Sequence, residues 1–205
     1  MDSEVSIYLR AVDTSANLLL IYLVCRSMWF WRRLEFDQKL MAGYYGVSLL
    51  FQITLSTLSY YKLTNSYLFH FFTPIEFIFT FSVFALWRQK KKSVILVGSS
   101  IYLALFAIVK MFAEQYSTID AYGIALSSVI LIATASMSVA HLAKVNAVGN
   151  YRMAFASAIV LYHCGLISSL MLMGVTGNPW LWLLHSISQL AAIIILNFTI
   201  PFKIK

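Results

Sequence analysis

Residues 66–92 read SYLFHFFTPIEFIFTFSVFALWRQKKK, and this stretch decides the fold. The 22 residues from Ser66 to Trp87 hold no Lys or Arg and a single acidic side chain, Glu76. A hydrocarbon core of ~30 Å is crossed by about 20 helical residues, so the stretch has the length and composition of a transmembrane helix. The basic run behind it, Arg88 and Lys90 to Lys92, marks a charged interface. Working outward, six more stretches have the same character. The predicted spans are Ala11–Trp31, Met41–Tyr61, Ser66–Trp87, Val94–Phe112, Ala121–Ala143, Arg152–Gly174 and Pro179–Ile200. The expected fold is an all-α integral membrane protein, one seven-transmembrane-helix bundle over residues 1–205.

Composition agrees. Of 205 residues, 60% are hydrophobic and 11% charged, where a soluble domain carries roughly a quarter charged residues. Mean hydropathy is +0.79. These values exclude an ordinary cytosolic enzyme, a disordered chain and a disulfide-built secreted domain. Cys25 and Cys164 lie inside apolar segments without a CxxC neighbour, so no disulfide framework is expected. The N-terminus, Met1-Asp2-Ser3-Glu4, is acidic, whereas a signal peptide starts basic, so the first span is expected to be retained.

The net charge of +7 sits at the ends of the apolar spans. Nucleic acid is therefore not an expected partner, and the charge reads as topology. Arg32, Arg33, Lys39, Arg88, Lys90, Lys91, Lys92, Lys144, Arg152, Lys203 and Lys205 fall on one side, against Arg10, Lys62 and Lys110 on the other. This places the N-terminus outside and the C-terminus in the cytoplasm. Arg26, inside the first span, is expected to snorkel to the nearer interface. Trp29, Trp31, Tyr60, Tyr61, Trp87, Trp180 and Trp182 read as aromatic belts. Pro179 suits the first turn of the last helix. Pro74 should bend the third, with Thr73 or water meeting the lost backbone bond.

Glu76 is the outstanding residue, the one acidic group deep in a span. A carboxylate there costs several kcal/mol unless it is protonated, paired or hydrated. By depth, Gln52, Glu76, His163 and Gln189 are expected in one central layer, with His70 and His185 some 8–9 Å above it at 1.5 Å per residue. Three chemistries compete for this layer. His163, His185 and Glu76 suit a transition metal such as zinc. The same groups suit a proton relay or a polar ligand. They also suit a satisfied polar network that holds helices together. His185 and Gln189 share a helix face, but no HExxH occurs. The run Arg88, Lys90, Lys91 and Lys92 is first a topology signal, and second a contact for anionic lipid or a cytoplasmic protein. Small residues crowd the fifth and sixth helices, at Ser127, Ser128, Ala133, Ala135, Ser136 and Ser138 and at Ala154, Ala156, Ser157 and Ala158. They read first as bundle contacts and second as a face for a homo-oligomer.

Retinal is not expected, because residues 180–200 contain no lysine for a Schiff base. Pro-Gln pairs of the PQ-loop sugar carriers are absent from the sequence. The intramembrane hydrolases related to alkaline ceramidases carry paired histidines in the last helix, where this chain has His185 and Gln189. Asn65 to Phe77 (NSYLFHFFTPIEF), Tyr162-His163-Cys164-Gly165 and Trp182 to Ile187 (WLLHSI) resemble a group of small seven-helix proteins of Bacteroidota-type bacteria. That resemblance spans most of the chain. It implies a bacterial inner membrane and a site built around Glu76. The leading expectation for function is a sensor or ligand-binding module acting through a cytoplasmic partner. The alternatives are a membrane-embedded lipid hydrolase with Glu76 as acid or base, and a proton-coupled carrier or channel.

Overall fold

The computed structural model describes residues 3–61, 63, 67–88, 90–112, 121–145, 150–176 and 180–200. Asp2, Lys62, Asn65, Ser66, Pro179, Lys203 and Lys205 lie outside the described residues. Those described form seven α-helices: α1 (Ser3–Trp29), α2 (Phe36–Tyr60), α3 (Leu68–Trp87), α4 (Lys92–Phe112), α5 (Ala121–Lys144), α6 (Asn150–Thr176) and α7 (Trp180–Leu196). A turn of 3-10 helix follows α1 at Trp31–Arg33, and another extends α7 at Asn197–Thr199.

Six helices are long and apolar enough to cross a membrane, namely α1 and α3 to α7. The protein is thus a multi-pass helical bundle of membrane type. The helix outside that group is α2. At 1.5 Å per residue its 25 residues give about 37 Å, ample to span. Its apolar character is diluted by one polar stripe, Asp37, Tyr44, Tyr45, Ser48 and Gln52. Those positions recur at helical spacing and so share a face. Leu50 and Ile53 of the same helix are exposed.

The helices close a ring in the order α1, α2, α3, α5, α6, α7, with α7 returning to α1. Helix α4 lies outside it against α3 and α5. Large apolar side chains such as Leu96, Val97, Ile101 and Met171 face outward, as lipid-facing surfaces do. Inside, Phe77 stacks on Tyr102 with ring centroids 3.6 Å apart, tying α4 to α3. Helices α6 and α7 approach closely at Gly165, where an added Cβ would land on the Ser188 side chain. Pro74 stays within α3, and the Thr73 hydroxyl donates to the Phe69 carbonyl at 2.7 Å. That bond does not serve the carbonyl of His70, the one Pro74 leaves without its helical donor.

The ring is fastened at the basic end, where α1, α3 and α7 finish and α2 and α6 begin. Arg26 does not snorkel. It is 6% exposed, and its guanidinium donates to the Asn197 carbonyl at 2.9 Å and to the Ile200 carbonyl. A terminal helical carbonyl lacks an intrahelical donor, and a basic side chain suits that site. Gln38 takes the Glu35 backbone N–H on its Oε1 at 3.1 Å and donates from Nε2 to the Thr199 carbonyl at 3.2 Å. The Gln38 bond to the Glu35 N–H caps the start of α2 at Phe36, ahead of the expected Met41, and Lys39 lies inside the helix. Trp87 is buried at 4% exposure and is not part of an interfacial belt. Its indole N–H donates to Asp37 Oδ2 at 2.8 Å.

Hydrogen bonds to a charged group contribute about 1.5–3 kcal/mol. Arg26→Met should therefore lower stability by about 2–3 kcal/mol in a reversible detergent-unfolding titration. A change within error of wild type would show that the Arg26 bridge to the end of α7 does not bear on the fold.

Candidate functional site

A cavity of about 40 Å³ lies within the ring. Helices α1, α2, α3, α6 and α7 all line it, through residues that include Leu20, Tyr44, Gln52, Glu76, Tyr162 and Gln189. One water needs roughly 10–15 Å³ of such space, so the cavity accepts a few water-sized guests.

Glu76 is buried, and the Tyr44 hydroxyl donates to its Oε1 at 2.9 Å. Phe69 and Phe72, in the turns before Glu76, hold this part of α3 against Phe51 of α2. Phe51 stacks on Phe72 at 4.0 Å, one turn of α3 before the carboxyl group. The Tyr44 ring is itself seated edge-on against Phe155 of α6 at 6.2 Å. Its neighbour Tyr45 also lines the cavity and shares a 2.7 Å hydrogen bond with the Thr199 hydroxyl. Two adjacent tyrosines of α2 thus reach the central acid and the end of α7.

Of the residues expected in the central layer, Gln52, Glu76 and Gln189 line this one cavity. His163 does not. It is fully buried, and its Nδ1 lies 2.8 Å from the Ser128 hydroxyl on α5. His185 is buried behind Tyr162, with ring centroids 5.6 Å apart, and beside Trp182 at 5.7 Å. His163 Nε2 and His185 Nδ1 make no hydrogen bond among the described residues. His70 is buried near the start of α3 and outside the cavity wall. The expected metal set of His163, His185 and Glu76 is not assembled. Among the described residues, no three His, Cys, Asp or Glu side chains converge to hold an ion. The reason is rotation about the helix axes: α6 turns Tyr162 toward the cavity and His163 toward α5.

Sequence reasoning missed Tyr44, Tyr45, Ser48 and Tyr162 as cavity residues. A signal was present, because Tyr44, Ser48 and Gln52 recur every four residues along α2. It also missed Asp37, the centre of a second polar cluster at the basic end. Asp37 Oδ2 accepts from Trp87 and from the Tyr151 hydroxyl at 3.1 Å, and Arg152 Nε lies 3.6 Å away. The Asp37 Oδ1 accepts the Gln38 backbone N–H at 2.9 Å. Helices α2, α3 and α6 are joined there. The basic run differs in kind: Lys90, Lys91 and Lys92 are exposed, and Arg88 is partly so. Cys25 and Cys164 are free and exposed.

No family model, curated protein or solved structure matches this chain.

A buried acceptor that loses its donor costs about 1–3 kcal/mol. Tyr44→Phe should therefore destabilise the bundle by about that amount, while Glu76→Gln, which still accepts from Tyr44, should cost less. Unfolding titrations of the two variants check the ordering. A reversed order would mean that the Tyr44 bond is not what holds the Glu76 side chain.

Proposed function

We propose that this chain is a small sensing module of a bacterial inner membrane. All seven helices cross the bilayer, with the N-terminus outside and the C-terminus in the cytoplasm. The central cavity takes a small polar guest at Glu76. Its occupancy is passed along α2 to the polar cluster at the cytoplasmic end. There the exposed Lys90, Lys91 and Lys92, with Arg88, meet a protein partner.

One observation carries this reading: α2 holds both ends of the chain of contacts. Tyr44 is bonded to Glu76. Gln38 and Tyr45 are bonded to Thr199, and Asp37 to Trp87. A shift of α2 that relaxes the bond to Glu76 also alters the seam with α3, α6 and α7. A ligand that favours one of two arrangements shifts the population toward it by its differential affinity. The cavity volume supports this reading over a lipid hydrolase, since about 40 Å³ receives water-sized groups and not an acyl chain. The turning of His163 away from the cavity that Glu76 lines points the same way.

The test is hydrogen exchange by mass spectrometry on the chain in lipid nanodiscs, comparing wild type with Glu76→Gln, alongside proton uptake in liposomes. We expect exchange at the start of α2 and the end of α3 to change in the variant, far from the substituted side chain. Proton uptake should be equally low in both proteins. Exchange altered only beside Glu76 would remove the coupling. Uptake present in wild type and lost in Glu76→Gln would make the protein a carrier.

A further inference from the structure

The outer surface of the ring is not uniformly convex. Between α5 and α6 runs a furrow of about 630 Å³, lined almost wholly by apolar and small side chains. Ser136 and Ala140 of α5 and Ser157 of α6 form part of its walls and are exposed. Their side chains stop short of one another, so a channel remains open to the membrane side. Met153 and Cys164 mark its two ends on α6, and both are exposed. Eleven residues separate them, which at 1.5 Å per residue is about 16 Å. Half of a ~30 Å hydrocarbon core is the same length, so the furrow has the depth of one leaflet.

Its charged end is equally specific. Lys144 stands on the same face of α5 as Ser136 and Ala140, at successive steps of four residues, and it is exposed. It occupies the last turn of α5, beyond the Met153 end of the furrow. Arg152, also at this end, is turned inward to Asp37 and Tyr151 and is taken up there. The surface thus offers an apolar trough one leaflet deep, ended by one exposed cation.

We infer that this furrow binds one anionic phospholipid of that leaflet, with an acyl chain in the trough and the headgroup on Lys144. The shape argues against a second copy of the chain as occupant. A two-fold pair would oppose two concave troughs and bring two Lys144 side chains to the same end of the seam. The inference rests on the furrow and Lys144, and it stands or falls independently of Glu76.

Native mass spectrometry of the purified chain tests it, with phosphatidylglycerol or phosphatidylcholine of identical acyl chains added. One phosphatidylglycerol per chain is expected. A single surface lysine is expected to favour the anionic headgroup by about fivefold. Lys144→Gln should bring phosphatidylglycerol down to the phosphatidylcholine level. Ala140→Phe, which fills the trough from an exposed position, should release both lipids while helicity by circular dichroism is kept. Ser157→Phe serves the same purpose if Ala140→Phe loses helicity. The proposal is overturned if the filled variants keep the lipid, or if Lys144→Gln keeps the headgroup preference. It is also overturned if wild type is a lipid-free dimer that Ala140→Phe separates, which would make the furrow a seam between copies.

Discussion

A polar group inside a hydrocarbon layer has no water to bond, so its partner must come from the protein. The bundle follows from that constraint at three buried places. Glu76 takes a hydrogen from Tyr44. Arg26 is bonded by the last carbonyls of the α7 end. Asp37 collects Trp87, Tyr151 and its own helix's backbone, with Arg152 beside it. Each of these groups has at least one partner outside its own helix. Meeting the constraint therefore also fixes which helices are neighbours. Apolar burial alone gives little direction here, since lipid is as apolar as Leu.

Helix α2 takes part in two of these solutions, at Glu76 and at Asp37, and reaches the third through the bonds of Gln38 and Tyr45 to Thr199. Its inner stripe carries Asp37, Gln38, Tyr44, Tyr45, Ser48 and Gln52, and its outer side carries Leu50 and Ile53. The stripe leaves α2 outside the group of described helices long and apolar enough to cross a membrane. The same stripe brings it against the cavity and the fastened basic end. Helix α4, by contrast, sits outside the ring against α3 and α5, with Tyr102, Phe106 and Lys110 as its buried residues.

The positions of the helices were legible in the sequence because a twenty-residue apolar run has few other uses. Glu76 was legible for a related reason, as the single acid in such a run. The partners were not. Arg26 is 171 residues from Asn197 and Asp37 is 50 from Trp87, and no local pattern announces either meeting. Arg26 looked close enough to the interface to snorkel, and Trp87 sat where belt residues sit. Both were instead drawn inward by unsatisfied carbonyls and a carboxylate. The depth argument grouped Gln52, Glu76 and Gln189 along one cavity, because depth follows from counting residues. It did not say which way His163 would face, because depth says nothing of rotation, and one residue's step along α6 separates Tyr162 at the cavity from His163 at Ser128.

The central claim is that α2 links the acid in the cavity to the polar cluster at the basic end. A double-mutant cycle between Tyr44→Phe and Asp37→Asn in reversible detergent unfolding tests it most directly. Seven residues of helix, about 10 Å, separate the two positions, so independent sites would add. The account predicts an interaction energy of about 0.5–2 kcal/mol. Additivity to within about 0.3–0.5 kcal/mol would contradict it, and would leave the cavity and the cluster as separate fastenings of the same bundle.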